Sequence, residues 1–128
     1  MKTLLLFLAG MASLVSFAQD GSFDTSFGDG GVIVIDLDNS QDLAYTIVEQ
    51  NDGKLILSGS KNINNVNDKI LVRFLEDGSV DSSFGIDGIV SANFGSGFYG
   101  YDFLFVDNQD KIVAAGNQDQ GSNTVFIV

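Results

Sequence analysis

The chain contains no cysteine, histidine, proline or tryptophan, and only six basic residues against 17 acidic ones. Each absence excludes something. Without cysteine there is no disulfide framework, so the fold must rest on a hydrophobic core or on a metal. Without cysteine and histidine the commonest zinc and copper ligands are missing, as are the thiol nucleophile and the usual general base near neutral pH. A serine triad of the ordinary kind lacks its histidine, and no Gly-x-Ser-x-Gly elbow is present. The shortage of lysine and arginine argues against binding to a phosphate backbone, so nucleic acid is excluded as a partner.

Long apolar runs are also scarce. The one at the N-terminus, Leu4 to Phe17, follows Met1-Lys2 and ends in Ser16-Phe17-Ala18 before polar Gln19-Asp20. A positive start, a short apolar stretch and small residues at the cleavage positions describe a secretory signal peptide over residues 1–18. The run is short of the roughly 20 apolar residues a spanning helix needs. No membrane span is therefore expected after cleavage, and the address is export: periplasm, cell surface or medium. The mature chain, 19–128, carries five basic and 17 acidic residues, a formal charge of −12 (5 − 17).

What is present is a repeat. Gly21-Ser-Phe-Asp-Thr-Ser-Phe-Gly28 returns as Gly78-Ser-Val-Asp-Ser-Ser-Phe-Gly85, displaced by 57 residues (78 − 21), and the same displacement carries Gly31 to Gly88, Lys54 to Lys111 and Gly59 to Gly116. A fixed period with glycines at matching places marks stacked supersecondary units. Between the turns lie short runs of Val, Ile, Leu and Phe bounded by Gly, Asp, Asn and Ser, which is the pattern of strands and turns. The first unit predicts strands at Gly31–Leu37, Leu43–Glu49, Lys54–Ser60 and Lys69–Leu75. The continuous run Val32-Ile33-Val34-Ile35 points to burial on both faces. Asn51-Asp52-Gly53 makes a hairpin turn, and 61–67 reads as a polar loop. In the fourth strand Lys69 and Arg73 share parity with Leu71 and Leu75, against Ile70, Val72 and Phe74 on the other side. Charges there suit an outer edge. The second unit predicts strands at Gly88–Phe94, Tyr99–Val106, Lys111–Asn117 and Thr124–Val128, with its hairpin glycine replaced by Asp110.

The expected fold is all-β: two four-stranded antiparallel, propeller-like blades, the second incomplete. The organisation is a signal peptide over 1–18, one repeat over 19–77 and a second over 78–128. Two units cannot close a ring of about 4–8 blades. The chain therefore reads as a fragment of a longer array, or as one that completes itself by association. A single β-sandwich is the alternative that the repeat disfavours.

Three elements stand in order: Gly21-Ser-Phe-Asp24-Thr-Ser26-Phe27-Gly28-Asp-Gly30-Gly31, then Asp52-Gly53-Lys54-Leu55-Ile56-Leu57-Ser58-Gly59, then Asp68-Lys-Ile-Leu-Val-Arg73-Phe74 running into Asp77-Gly78-Ser79-Val80-Asp81. From Gly21 onward the chain thereby resembles the delta-60 repeat, a bacterial unit of about 55–60 residues with a β-propeller-like fold and uncertain function. The resemblance implies further repeats of the same kind and an exported protein, and it brings no catalytic residues. This chain departs from the pattern where Phe23 and Val80 replace a leucine, in its second Asp-Gly-Lys hairpin, and where Val128 falls at or near the position of the second arginine.

The repeated turn has a physical reading of its own. Asp24 and Asp81 are expected to accept bonds from amides two or three residues on. Phe27 and Phe84 are expected to plug the layer between units, and Gly28, Gly31, Gly85 and Gly88 to permit positive φ or close backbone approach. A fully buried Phe27 would make Phe27→Ala cost about 3–5 kcal/mol.

Other signals are weaker. Gly95-Ser-Gly97-Phe-Tyr-Gly100 has dinucleotide-type glycine spacing, but an aromatic strand follows where a helix is needed, so it reads as a flexible turn. Asp36, Asp38 and Asp42 form a candidate Ca²⁺ site, set against a solvated acidic turn; the spacing is not that of an EF-hand and the second unit replaces two of the three with Asn93 and Gly95. Tyr99, Tyr101, Phe103 and Phe105 share one strand face. Such a stripe could stack on sugars, although packing against the next sheet is the expectation. The favoured function is an exported, non-enzymatic repeat module, a scaffold or binding unit for a protein or glycan ligand. The alternative is a glycan hydrolase or lyase using paired carboxylates, with or without calcium.

Overall fold

A computed structural model describes residues 21–38, 40–63, 66–92, 98–118 and 123–127. Residues 1–18, where a signal peptide is expected, and Gly95 to Gly97 of the glycine-spaced turn lie outside them. The described chain is all-β. Seven strands form in order: β1 (Gln41–Glu49), β2 (Leu55–Ile63), β3 (Val66–Phe74), β4 (Ile89–Ala92), β5 (Phe98–Val106), β6 (Ile112–Gln118) and β7 (Asn123–Ile127). They make a four-stranded sheet, β1-β2-β3-β4, and a three-stranded sheet, β5-β6-β7, with every pairing antiparallel.

The 57-residue displacement holds in three dimensions. It carries the first residue of β1 to that of β5 (41 to 98), of β2 to β6 (55 to 112) and of β3 to β7 (66 to 123). Sheet membership nevertheless cuts across the boundary between the repeats at 77/78. The strand expected to open the second blade is β4, and it pairs with β3 in the first sheet, Lys69 opposite Ala92 and Val72 opposite Ile89. Its counterpart in the first repeat, 31–37, is not a strand. Nor is the run 32–35 buried on both faces: inward and outward positions alternate, and Val34 is 88% exposed.

This arrangement corrects the expectation for β3. Lying between β2 and β4, it is an interior strand rather than an outer edge. Lys69 is accordingly 1% exposed, and burial lowers its pKa. The polar loop expected at 61–67 is shorter than that, because β2 runs on to Ile63 and β3 begins at Val66. The parity reading of β3 holds. Ile70, Val72 and Phe74 join a cluster on one side of the sheet with Leu55, Leu57 and Ile89. Leu71 faces the other side, where it meets Ile56, Phe84, Leu104, Ile112 and Ala114, with Val48 and Val90 alongside. That second cluster is the layer between the two sheets. Hydrophobic burial of this kind, on faces that neither sheet can cover alone, is the main force that holds stacked blades together.

Candidate functional site

The repeated turn is the most sharply built part of the molecule, and its two copies share their internal bonds. Asp24 Oδ1 accepts the Ser26 amide (2.9 Å) and the Ser26 hydroxyl (2.6 Å). Asp81 Oδ1 accepts the Ser83 amide (3.0 Å) and hydroxyl (2.6 Å). The amides of Phe27 and Phe84 donate to Asp24 O and Asp81 O, and those of Gly31 and Gly88 to Phe27 O and Phe84 O. Gly28 and Gly85 have φ of 58° and 57°, and Gly31 and Gly88 94° and 89°. A Cβ at Gly28 would lie 2.5 Å from Val32 O, and one at Gly85 closer still to Ile89 O, so both corners need glycine for space as well as for sign of φ.

The second copy is tied down further. Arg73 on β3 donates from Nε to Asp81 Oδ2 (2.9 Å) and from a terminal nitrogen to Ser83 Oγ (3.2 Å). Its guanidinium lies 4.6 Å from the centre of the Phe84 ring, within cation–π range. Hydrogen bonds from the Ser83 hydroxyl first, and then from its amide together with the charge of Arg73, hold the Asp81 carboxyl below its ordinary pKa, against the opposing effect of burial. Phe84 is 8% exposed and sits between the sheets, as the turn reading predicts. Phe27 is only half-buried, so the full cost expected for Phe27→Ala belongs to Phe84 instead.

Phe27 is half-buried because it lines an open cavity of about 500 Å³ on the outer side of the first sheet. Ile47, Leu57, Val72 and Phe74 form much of its floor, and 31–37 forms one wall through Ile33 and Ile35. Among the described residues Asp42 is its one ionisable lining group. Asp42 is already engaged: Oδ2 accepts the Leu37 amide (2.9 Å) and Oδ1 accepts the Ser40 hydroxyl. Asp38, at φ 60°, pairs with Lys61 at 3.4 Å. Asp36 has polar company of its own. Asp38 and Asp42 therefore serve separate local bonds, and among the described residues no group of acidic side chains gathers as a metal site.

On the second sheet, Leu104 turns inward while Phe103 and Phe105 are 71% and 53% exposed. Their expected packing against a next sheet is not made among the described residues, and the side chains of Tyr99 and Tyr101 lie outside those residues. A contact that sequence reading missed joins the two hairpins. Asp110, which replaces the hairpin glycine, holds φ 65° and accepts the Asn51 amide (3.1 Å) and Gln50 Nε2 (3.3 Å). The signal was visible as a lost glycine in an otherwise faithful repeat. Aspartate is among the few residues that enter the left-handed region readily, so the turn survives and its carboxylate becomes available to the neighbouring blade.

No curated protein and no solved structure matches the chain. Residues 50–84 match the family model described as "Domain of unknown function (DUF5122) beta-propeller". That stretch runs from the first hairpin through β2 and β3 to Phe84, and so spans the Arg73–Asp81–Phe84 junction; its similarity is to a β-propeller repeat family.

Proposed function

We propose that the chain is an exported, non-enzymatic β-propeller-type module of the delta-60 kind, a scaffold that presents its blades for binding. The observation that carries this reading is the use of its polar residues. Asp24, Asp77, Asp81 and Asp107 each bind amides within their own turns, so the repeated carboxylates fix architecture, and the open cavity is apolar. The Met1 to Ala18 segment supports export. The binding surface is the concave or lateral face that stacked blades create, with a protein or glycan as the ligand class.

The experiment combines three readouts on the exported protein. Intact mass should place the mature N-terminus at Gln19. Thermal melting should be the same in calcium and in chelator. Polysaccharides incubated with the protein should gain no new reducing ends. Reducing ends that appear with the wild type and vanish in Asp42→Asn would replace the scaffold reading with the carboxylate hydrolase, and a chelator-sensitive melt would add a metal to it.

A further inference from the structure

Among the described residues one stacking interface is used, and both of its complementary halves stand uncovered. Inside, the side of the first sheet bearing Val48, Ile56, Leu71 and Val90 packs on the side of the second bearing Leu104, Ile112 and Ala114. Moved back by 57 residues, Leu104, Ile112 and Ala114 become Ile47, Leu55 and Leu57. These lie on the outer side of the first sheet, with Ile47 and Leu57 lining the cavity. Moved forward, Val48 and Ile56 become Phe105 and Val113, which are opposite one another in the second sheet. Phe105 and Phe103 on that side are largely exposed.

The strands show the same deficit. The first sheet has four strands because β4 comes from the next repeat, whereas the second sheet has three among the described residues. The counterpart of β4, 31–37, pairs with no described strand. It is nevertheless in position: Ile33 packs on the outer side of the first sheet, as its counterpart Val90 packs in the layer facing the second. Among the described residues, 31–37 lies beside the first sheet without strand partners of its own, and β7 pairs on one side only, with β6.

We infer that the chain assembles head to tail with a second copy of itself. β7 of one copy pairs antiparallel with 31–37 of the next, and the Phe103 and Phe105 side of the first copy closes over the cavity of the second. The inference rests on the stacked-blade reading above and names its partner. The register follows from β3 and β4, where Lys69 faces Ala92 and Ile70 faces Ser91. Displaced by one repeat on each side, Phe126 faces Ile35 and Ile127 faces Val34. Such an interface is heterologous, and it ends growth only by closing a ring. With two sheets per copy, rings of about 4–8 blades take two to four copies.

Light scattering on the purified chain through a dilution series should give a discrete mass of two to four chains. A monomer at every concentration overturns the inference. Phe103→Asp alters a side chain that is exposed in the single chain, so folding should survive while the assembly falls to monomer; an unchanged mass overturns the use of that face. The absence of native cysteine permits a register test. Directly opposed antiparallel residues have Cα atoms about 4.5–5.5 Å apart, within disulfide reach. Mixing Val34→Cys chains with Ile127→Cys chains should give an interchain disulfide, and mixing Val34→Cys with Phe126→Cys, on the other face of β7, should not. A missing 34–127 bond overturns the inference. The intrachain counterpart, Ile70→Cys with Ser91→Cys, separates the two levels. If that bond forms and the 34–127 bond does not, assembly fails while the stacked-blade reading stands. If neither forms, both fail.

Discussion

A single kind of bond recurs at the residue scale. Asp24, Asp77 and Asp81 each hold the amide and the hydroxyl of a serine two residues on, and Asp107 holds the amides of Lys111 and Gln109. These bonds favour the ionised carboxylate and lower all four pKa values below the ordinary 3.8: the serine hydroxyl is the leading cause for Asp24, Asp77 and Asp81, and the Lys111 amide for Asp107. Carboxylates whose pKa is lower in the folded chain contribute stability that is fully present above the unfolded value and is lost as pH falls through the folded values. Urea midpoints should therefore be flat from pH 7 to about 5 and fall steeply below about pH 4. Midpoints that hold constant down to pH 3 would show that these turns do not stabilise the fold. The aspartate and glycine places were legible in the sequence because a turn's demand on φ is local. The tie from Asp110 to Gln50 and Asn51 was not, since it depends on how one blade sits against the next.

At the scale of the element, the same turn does different work in its two copies. Phe84 lies beneath a neighbouring sheet, and Phe27 lines an open cavity. Phe84→Ala should cost about 3–5 kcal/mol in chemical denaturation, and Phe27→Ala about 1–2 kcal/mol in the single chain. Equal losses would mean that the two turns have equivalent surroundings. Strand identity was readable in β1, β2, β3, β5 and β6, because short apolar runs and bounding turn residues are written in each segment, and inward parity was readable in β3; on β5 the aromatic face expected to pack leaves Phe103 and Phe105 exposed, with Leu104 buried instead. The grouping of strands into sheets was not. A repeating sequence shows the length of its unit, but any point within that unit serves equally well as its start. The pairing of β3 with β4 across 77/78 had no local signal, and it turned Lys69 from an expected edge charge into a buried one.

Across the whole molecule, the structure is two antiparallel sheets stacked through Ile56, Leu71, Phe84, Leu104, Ile112 and Ala114. The period and glycine pattern anticipated this all-β stack. The cavity could not be anticipated, because it depends on 31–37 crossing a sheet face that no other described strand covers. The acidic residues Asp36, Asp38 and Asp42 stood out by composition, yet Asp42 is taken up by the Leu37 amide and Asp38 by Lys61. The first strand of the second repeat completes the sheet of the first, and the stacking of the two sheets follows from that pairing. Backbone nuclear Overhauser contacts across strands test it most directly. Contacts are expected in the register Lys69 opposite Ala92, Ile70 opposite Ser91, Leu71 opposite Val90 and Val72 opposite Ile89. Contacts from Ile89–Ala92 to β5 in their place would contradict that pairing, because each repeat would then build its own sheet.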